Sequence, residues 1–272
     1  GIRLEIPIFN DKPQTDTYFN ETTIPLIEAA YEGVLDDPLQ GARAGEMPKT
    51  QLMLSPRVGF NWDVTGKQKT QLRGGIGIFT SRVPFVWPGG AYNNNGLSIG
   101  GVRQFDVPFI ADPFAQPTTT DFGGTDKIPS GEMNLFSKNF KYPQVFRTSL
   151  ALDQELPFGI TATLEGMYTK TLNNVFYYNL NVKPSVNNLA GTPDDRPIYN
   201  FQSPIDNTYT GIYLAGNTNE GYTYNLTAQF QKAFTKGFSS SLAYTFGRAV
   251  SVFEGTSSQN SSQFLYSRSF RF

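Results

Sequence analysis

The chain of 272 residues carries 22 Lys and Arg against 23 Asp and Glu, a net charge of -1, and contains neither cysteine nor histidine. Near-neutrality removes the basic footprint that nucleic acid requires. The missing residues exclude a thiolate nucleophile, a Ser-His-Asp triad, a His/Cys zinc site and a histidine-ligated haem. A hydrophobic fraction of 39% and a mean hydropathy of -0.33 exclude a bundle of transmembrane helices, but not a transmembrane β-barrel, where only alternate residues meet lipid.

Ile2, Leu4, Ile6 and Ile8 alternate with Arg3 and Glu5 and predict a first strand. From Asn10 to Leu52 the chain is polar and punctuated by Pro and Gly, which predicts a long connection with a helical turn or two over Ile24 to Tyr31. A second strand over about 54–64 sets Leu54, Pro56, Val58, Phe60 and Trp62 against Ser55, Arg57, Gly59, Asn61 and Asp63. After the turn-like Thr65-Gly66-Lys67-Gln68-Lys69, a third strand over about 70–80 completes a hairpin. Residues 81–143 show no sustained period, as expected of an extracellular barrel loop. A fourth strand over about 144–156, the tight turn Pro157-Phe158-Gly159 and a fifth strand follow. The fifth is expected to continue through Val175 to Leu180 above the membrane, because a separate crossing there would break the alternation of short and long connections. A connection over 181–220 leads to a sixth strand (Tyr222, Tyr224, Leu226, Ala228, Phe230), a turn over 233–237 and a seventh strand (Phe238, Leu242, Tyr244, Phe246). Phe264, Tyr266, Arg268, Phe270 and Phe272 predict an eighth.

The expected fold is all-β: an antiparallel meander of about eight long transmembrane strands, forming a barrel or partial barrel, with short periplasmic turns and long extracellular loops. Even-numbered residues of the second to seventh strands should face outer-membrane lipid. No linker divides residues 1–272, which read as a single barrel segment, and any secretion signal is expected to precede Gly1.

Three stretches carry a family resemblance: Ser55-Pro56-Arg57-Val58-Gly59-Phe60-Asn61-Trp62-Asp63, Thr70-Gln71-Leu72-Arg73-Gly74-Gly75-Ile76-Gly77-Ile78-Phe79 running into Arg82-Val83-Pro84-Phe85-Val86-Trp87, and Leu242-Ala243-Tyr244-Thr245-Phe246-Gly247-Arg248. Together they resemble the barrel of TonB-dependent outer-membrane receptors, most of all the Oar-like group common in Bacteroidetes. The resemblance implies a barrel of about 22 strands filled by an N-terminal plug, uptake of a large or scarce peptide, glycan or chelate, and energy delivered by the TonB complex. It implies a surface lipoprotein as a further partner. No plug, TonB box or carboxypeptidase-like extension lies in the chain, so it is expected to be a mid-barrel piece or a truncated product. Two other functions compete: a self-contained eight-stranded barrel acting as anchor or adhesin, with Phe270-Arg271-Phe272 as an aromatic C-terminal signal, and a soluble sugar-binding β protein.

Arg57, Arg73, Arg147, Asp153, Glu155 and Glu165 fall on the polar faces, which point into the lumen of a closed barrel because isolated charges are not left in lipid. With Phe158 centring its turn, Ala151 pairs with Glu165 and Asp153 with Thr163. That gathers three carboxylates into a cation-binding or plug-contacting patch, or into ordinary Arg-paired lumen charge. Trp87, Tyr92, Asn93, Asn94 and Asn95 form an aromatic, amide-rich loop tip suited to peptide or glycan capture, or a loop that packs on its neighbours. Asp36-Asp37, Asp121 to Asp126 and Asp194-Asp195 offer oxygen ligands for calcium without EF-hand spacing, and no cofactor is implied. The chain is expected not to be an enzyme: Asp153 and Glu165, the one carboxylate pair worth testing, lie on strands inside a barrel instead of flanking a cleft.

Overall fold

The alternating segments form strands, and the strands join into one wall. The computed structural model of the chain describes residues 1–100, 108–118, 131–191, 197–235, 237–252, 257 and 259–266. Its strands are β1 (Ile2–Glu5), β2 (Met53–Asp63), β3 (Thr70–Thr80), β4 (Glu132–Phe136), β5 (Gln144–Leu156), β6 (Ile160–Asn179), β7 (Asn187–Asn188), β8 (Pro197–Ile198), β9 (Gly211–Thr218), β10 (Tyr222–Thr235) and β11 (Phe238–Val250). Helices α1 (Ile24–Ala30), α2 (Val86–Asn93) and α3 (Asn260–Tyr266) lie in the connections. The wall is antiparallel in the order β1-β2-β3-β5-β6-β10-β11.

Local chemistry sets the hairpins. The Asp63 carboxylate accepts the Gln68 N–H at 2.7 Å and the Thr65 N–H at 3.2 Å, while Gly66 and Gln68 take φ of 66° and 58°, which closes the β2–β3 turn. Phe158 and Gly159, at φ 67° and 68°, reverse the chain between β5 and β6. The resulting register pairs Ala151 with Glu165 and Asp153 with Thr163, as a turn centred on Phe158 requires.

Even-numbered side chains make one face of the wall. Val58, Trp62, Leu150, Leu226, Leu242 and Phe246 are all exposed, Leu242 by 71%. Six strands at ~4.8 Å spacing and roughly ten residues at ~3.3 Å each give this face roughly 900 Å², larger than the roughly 300–600 Å² of the largest patch on a soluble monomer. No second layer covers it among the described residues. The surface therefore suits lipid, with Phe158, Phe234 and Phe238 at the short-turn end and Tyr168, Tyr222 and Tyr224 toward the other.

The apolar core lies outside the wall, in a cap built by the long connections. β6 runs past the wall, and its Asn174 to Asn179 segment pairs with β9, which pairs in turn with β4. One side of this small sheet packs Met133, Leu135, Ile212 and Leu214 on Phe19 and on Ile24 and Ile27 of α1. The other packs Val175, Tyr177, Tyr213 and Ala215 on Trp87 and Ala91 of α2 and Phe264 of α3. Strands covered on both faces need apolar residues throughout, which explains the unbroken Ile212-Tyr213-Leu214-Ala215 run.

The structure corrects the expected fold in four places. β4 and β9 pair in parallel, so the sheet is not wholly antiparallel; the two strands come from different connections, which frees them from hairpin geometry. The connections over 81–143 and 181–220 contain α2, β4 and β9, because their apolar residues bury in the cap, and the short, mostly exposed pair β7–β8. β1 stops at Glu5, two residues before Pro7, which has no N–H for the ladder. The expected eighth strand is helical at its start: Phe264 is buried in α3 against Tyr213, at 6.0 Å between rings. Arg268, Phe270 and Phe272 lie outside the described residues.

Candidate functional site

The odd-numbered residues form the other face of the wall as cross-strand rows. One row is Asn61, Arg73, Ala151, Glu165, Thr227 and Thr245; the row nearer the short turns is Asp63, Gln71, Asp153, Thr163, Gln229 and Ala243. Each row is polar at five of its six positions, with the small Ala151 and Ala243 as the exceptions, as suits a lumen surface.

Arg73 organises the centre. Its Nε donates to Asp153 Oδ2 at 2.8 Å and its Nη2 to Glu165 Oε2 at 3.4 Å, while Thr163 Oγ1 donates to Asp153 Oδ1 at 2.6 Å. The small Ala151 between Arg73 and Glu165 in the row lets the guanidinium reach across, and Ala151 is only 3% exposed. Two of the three predicted carboxylates thus share one cation. Glu155 takes no part in the Arg73 ion pairs; exposed beside the β5–β6 turn, it lines a polar recess of about 390 Å³ with Asp153, Gln68, Lys69 and Thr161. Arg57 and Arg147 lie two rows toward the cap, with their guanidinium carbons 4.3 and 5.7 Å from the Phe79 ring centre. Arg73, Asp153 and Glu165 compensate one another, and a fixed, solvated set of charges of this kind can hold or repel a charged surface.

The predicted loop tip is folded into the cap. Trp87 is 5% exposed, donates its indole N–H to the Ser257 carbonyl at 3.0 Å and meets Tyr177 edge-on. Tyr92 donates its hydroxyl to the Asp11 carbonyl at 2.8 Å, Asn94 Nδ2 donates to Glu132 Oε2 at 3.3 Å, and Asn95 is buried with its Oδ1 accepting the Leu97 and Ser98 N–H groups. Asn93 alone of the five is exposed. The expectation of exposed aromatics at this tip is therefore corrected for Trp87, whose ring gains more from the cap interior than from water.

Sequence reading missed the buried polar network of the cap. Tyr209 donates to Asp16 Oδ2 and Thr23 to Asp206 Oδ2, each at 2.6 Å, and Asn181 Nδ2 bridges the carbonyls of Asp206 and Tyr209 at 2.9 Å. Burial, reinforced by the Asp16 carboxylate, pushes the Tyr209 hydroxyl well above its ordinary pKa. Burial, with the Glu132 charge adding, pushes Tyr213 up to about 12. It also missed an amide-rich recess of about 430 Å³ where Asn173, Phe176, Asn217 and Glu220 meet. Single polar residues inside apolar runs, such as Asn179 and Asn181, were the available signal. Among the described residues no group of three or more acidic side chains could hold a metal ion, and the predicted acidic stretches 121–126 and 194–195 lie outside them.

A single-layer sheet with one apolar face, one polar face, short turns at one end and a folded cap at the other is the wall of an outer-membrane β-barrel. The family described as outer membrane beta barrel domain matches residues 1–271, and the chain belongs to it. Its place is the bacterial outer membrane, which removes the soluble sugar-binding reading. No curated protein matches the sequence. Among solved structures the chain is similar to a mutant of the ferric enterobactin receptor PfeA from Pseudomonas aeruginosa, with 12% identity, TM-score 0.41, and 72% of this chain and 22% of that one covered. It is also similar to the siderophore receptor PirA from Pseudomonas aeruginosa (12% identity, TM-score 0.37, 73% and 28% covered) and to the outer membrane transporter YddB from Escherichia coli (11%, 0.37, 74% and 21%). The chain thus spans under a third of each of these structures.

Proposed function

We propose that residues 1–272 form one stretch of wall and outer cap of a TonB-dependent receptor, of the Oar-like group, that takes up a large or scarce ligand and is not an enzyme. The supporting observation is the sheet itself. β11 has no partner on its outer side and β1 covers only the cap end of β2, so among the described residues the two edges do not meet. Lipid cannot satisfy such edges, and a larger barrel supplies the missing neighbours. A larger barrel has a lumen wide enough for a plug, and the rows around Arg73 then become a plug-facing surface. The self-contained eight-stranded anchor or adhesin has no comparable support, since α3 stands where its last strand would begin.

Epistasis in the host tests this reading. An in-frame deletion of this stretch should cause a growth defect on a limiting nutrient that adds nothing in a strain already lacking TonB. A defect that adds to the TonB deletion refutes energised uptake.

A further inference from the structure

The outer end of the lumen face holds two guanidinium groups that form no ion pair among the described residues. Arg57, Gly77, Arg147 and Thr169 form one row across β2, β3, β5 and β6. Gly77 is what lets the Arg57 stem lie over β3, since a Cβ at that position would come within 3.1 Å of Arg57 Cγ. Both arginines converge on Phe79, at 4.3 and 5.7 Å from the ring centre, so their guanidinium carbons are no further apart than those two distances together. Arg147 Nε is engaged by Thr169 Oγ1 at 3.2 Å. The described ion pairs are Arg3 with Glu5 and Arg73 with Asp153 and Glu165, and none includes Arg57 or Arg147. The adjoining rows carry Gly75, Ser149 and Met167 on one side and Phe79, Val145 and Thr171 on the other, with no acid among them. The phenyl ring positions both cations but neutralises neither.

A group that accepts from both forks would offset their mutual repulsion with charge-assisted hydrogen bonds, and planar guanidinium suits the paired oxygens of phosphate or carboxylate. We infer that Arg57, Arg147 and Thr169 form an oxyanion-binding station at the outer end of the lumen wall, taking a solute that carries phosphate or carboxylate groups. This rests on the reading of the odd-numbered face as lumen. Arg73, two rows deeper, is already compensated by its two carboxylates, so a bound anion is held at the outer station.

The test is equilibrium dialysis of the detergent-solubilised receptor that carries this stretch against inorganic phosphate and, separately, citrate. Saturable binding of either probe is expected, weakened at least tenfold by Arg57→Gln or Arg147→Gln and unchanged by Lys12→Gln, which removes the same charge from an exposed position in the cap. Arg147→Lys keeps the charge but loses the fork, so it guards against a folding defect and should bind with intermediate strength. Absence of saturable binding of both probes, or an equal loss on Lys12→Gln, overturns the station. Labelling of Ser149→Cys by a water-soluble maleimide separates the two claims: labelled protein without anion binding refutes the station alone, and protein labelled only by a lipid-soluble reagent refutes the lumen assignment as well.

Discussion

Replacing Leu226 by arginine puts a charge where the wall meets the middle of the bilayer. Leu226 sits in the row Phe60, Gly74, Leu150, Gly166, Leu226 and Phe246, and from Ile160 to Lys170 β6 rises roughly 33 Å, or about 25 Å along the membrane normal at a tilt of about 40°. Leu226 pairs with Gly166, near the midpoint of that span. An arginine at the midplane of a barrel's lipid face costs about 2–4 kcal/mol, against about 0–1 near an interface. At a guanidinium slope of roughly 5 kcal/mol/M, the midpoint of unfolding should fall by roughly half a molar. Thr227, the next residue, faces the lumen and shares a 2.9 Å hydroxyl contact with Thr245, so Thr227→Arg should cost only about 1 kcal/mol. The assay is guanidinium unfolding of the protein in phospholipid vesicles, with Phe234→Arg marking the interface. Equal costs at Leu226 and Thr227, or a larger one at Thr227, would refute the assignment of the even-numbered face to lipid.

Two predictions concern the cap. Trp87→Ala removes a buried indole with its bond to Ser257 and its contact with Tyr177, which should destabilise the cap by about 3–5 kcal/mol; protease cleavage within residues 81–143 on intact cells should accelerate while the wall strands stay protected. The buried tyrosines Tyr31, Tyr177, Tyr209 and Tyr213 all have pKa values raised by burial. Unfolded tyrosine titrates near 10, so above that pH the unfolded cap loses protons that the folded cap retains, and stability falls as pH rises. These tyrosines should add no pH dependence below about 10, and the cap should loosen as pH climbs from there through about 12, the value for Tyr213. Phenolate absorbance that rises in a single step at pH 10, with no late-titrating fraction, would contradict this.

The wall was legible because a period of two admits one reading: Val58, Ile76, Leu150 and Leu226 share parity, and the register places them on one face. The Arg73 cluster was half legible. Placing Phe158 in the turn gave the pairing of Asp153 with Thr163, but that Arg73 would reach two carboxylates depends on the smallness of Ala151 and on a neighbour 80 residues away. The cap was not legible, because its pairings join segments that have no local relation: Asn134 of β4 opposite Tyr213 of β9, and Thr23 bonded to Asp206 across 183 residues. Continuous runs such as Ile212 to Ala215 could have signalled strands buried on both faces.

The place where the parity argument stops has a structural cause. Along β5 and β6 the register steps from Val145 opposite Thr171 to Gln144 opposite Asn173, so Leu172 is an extra residue on β6. A bulge of one residue exchanges the two faces of a strand. Below it, odd-numbered residues of β6 such as Thr163 and Glu165 line the lumen; above it, Val175 and Tyr177 fall on the side that even-numbered residues occupy in the wall. The wall needs one face for lipid and one for water, whereas the cap buries both, so a bulge at this level separates two packing regimes within one continuous strand of roughly 60 Å. The shift from alternating to unbroken apolar sequence at Asn173-Asn174-Val175-Phe176-Tyr177-Tyr178 therefore marks the outer edge of the membrane-spanning wall.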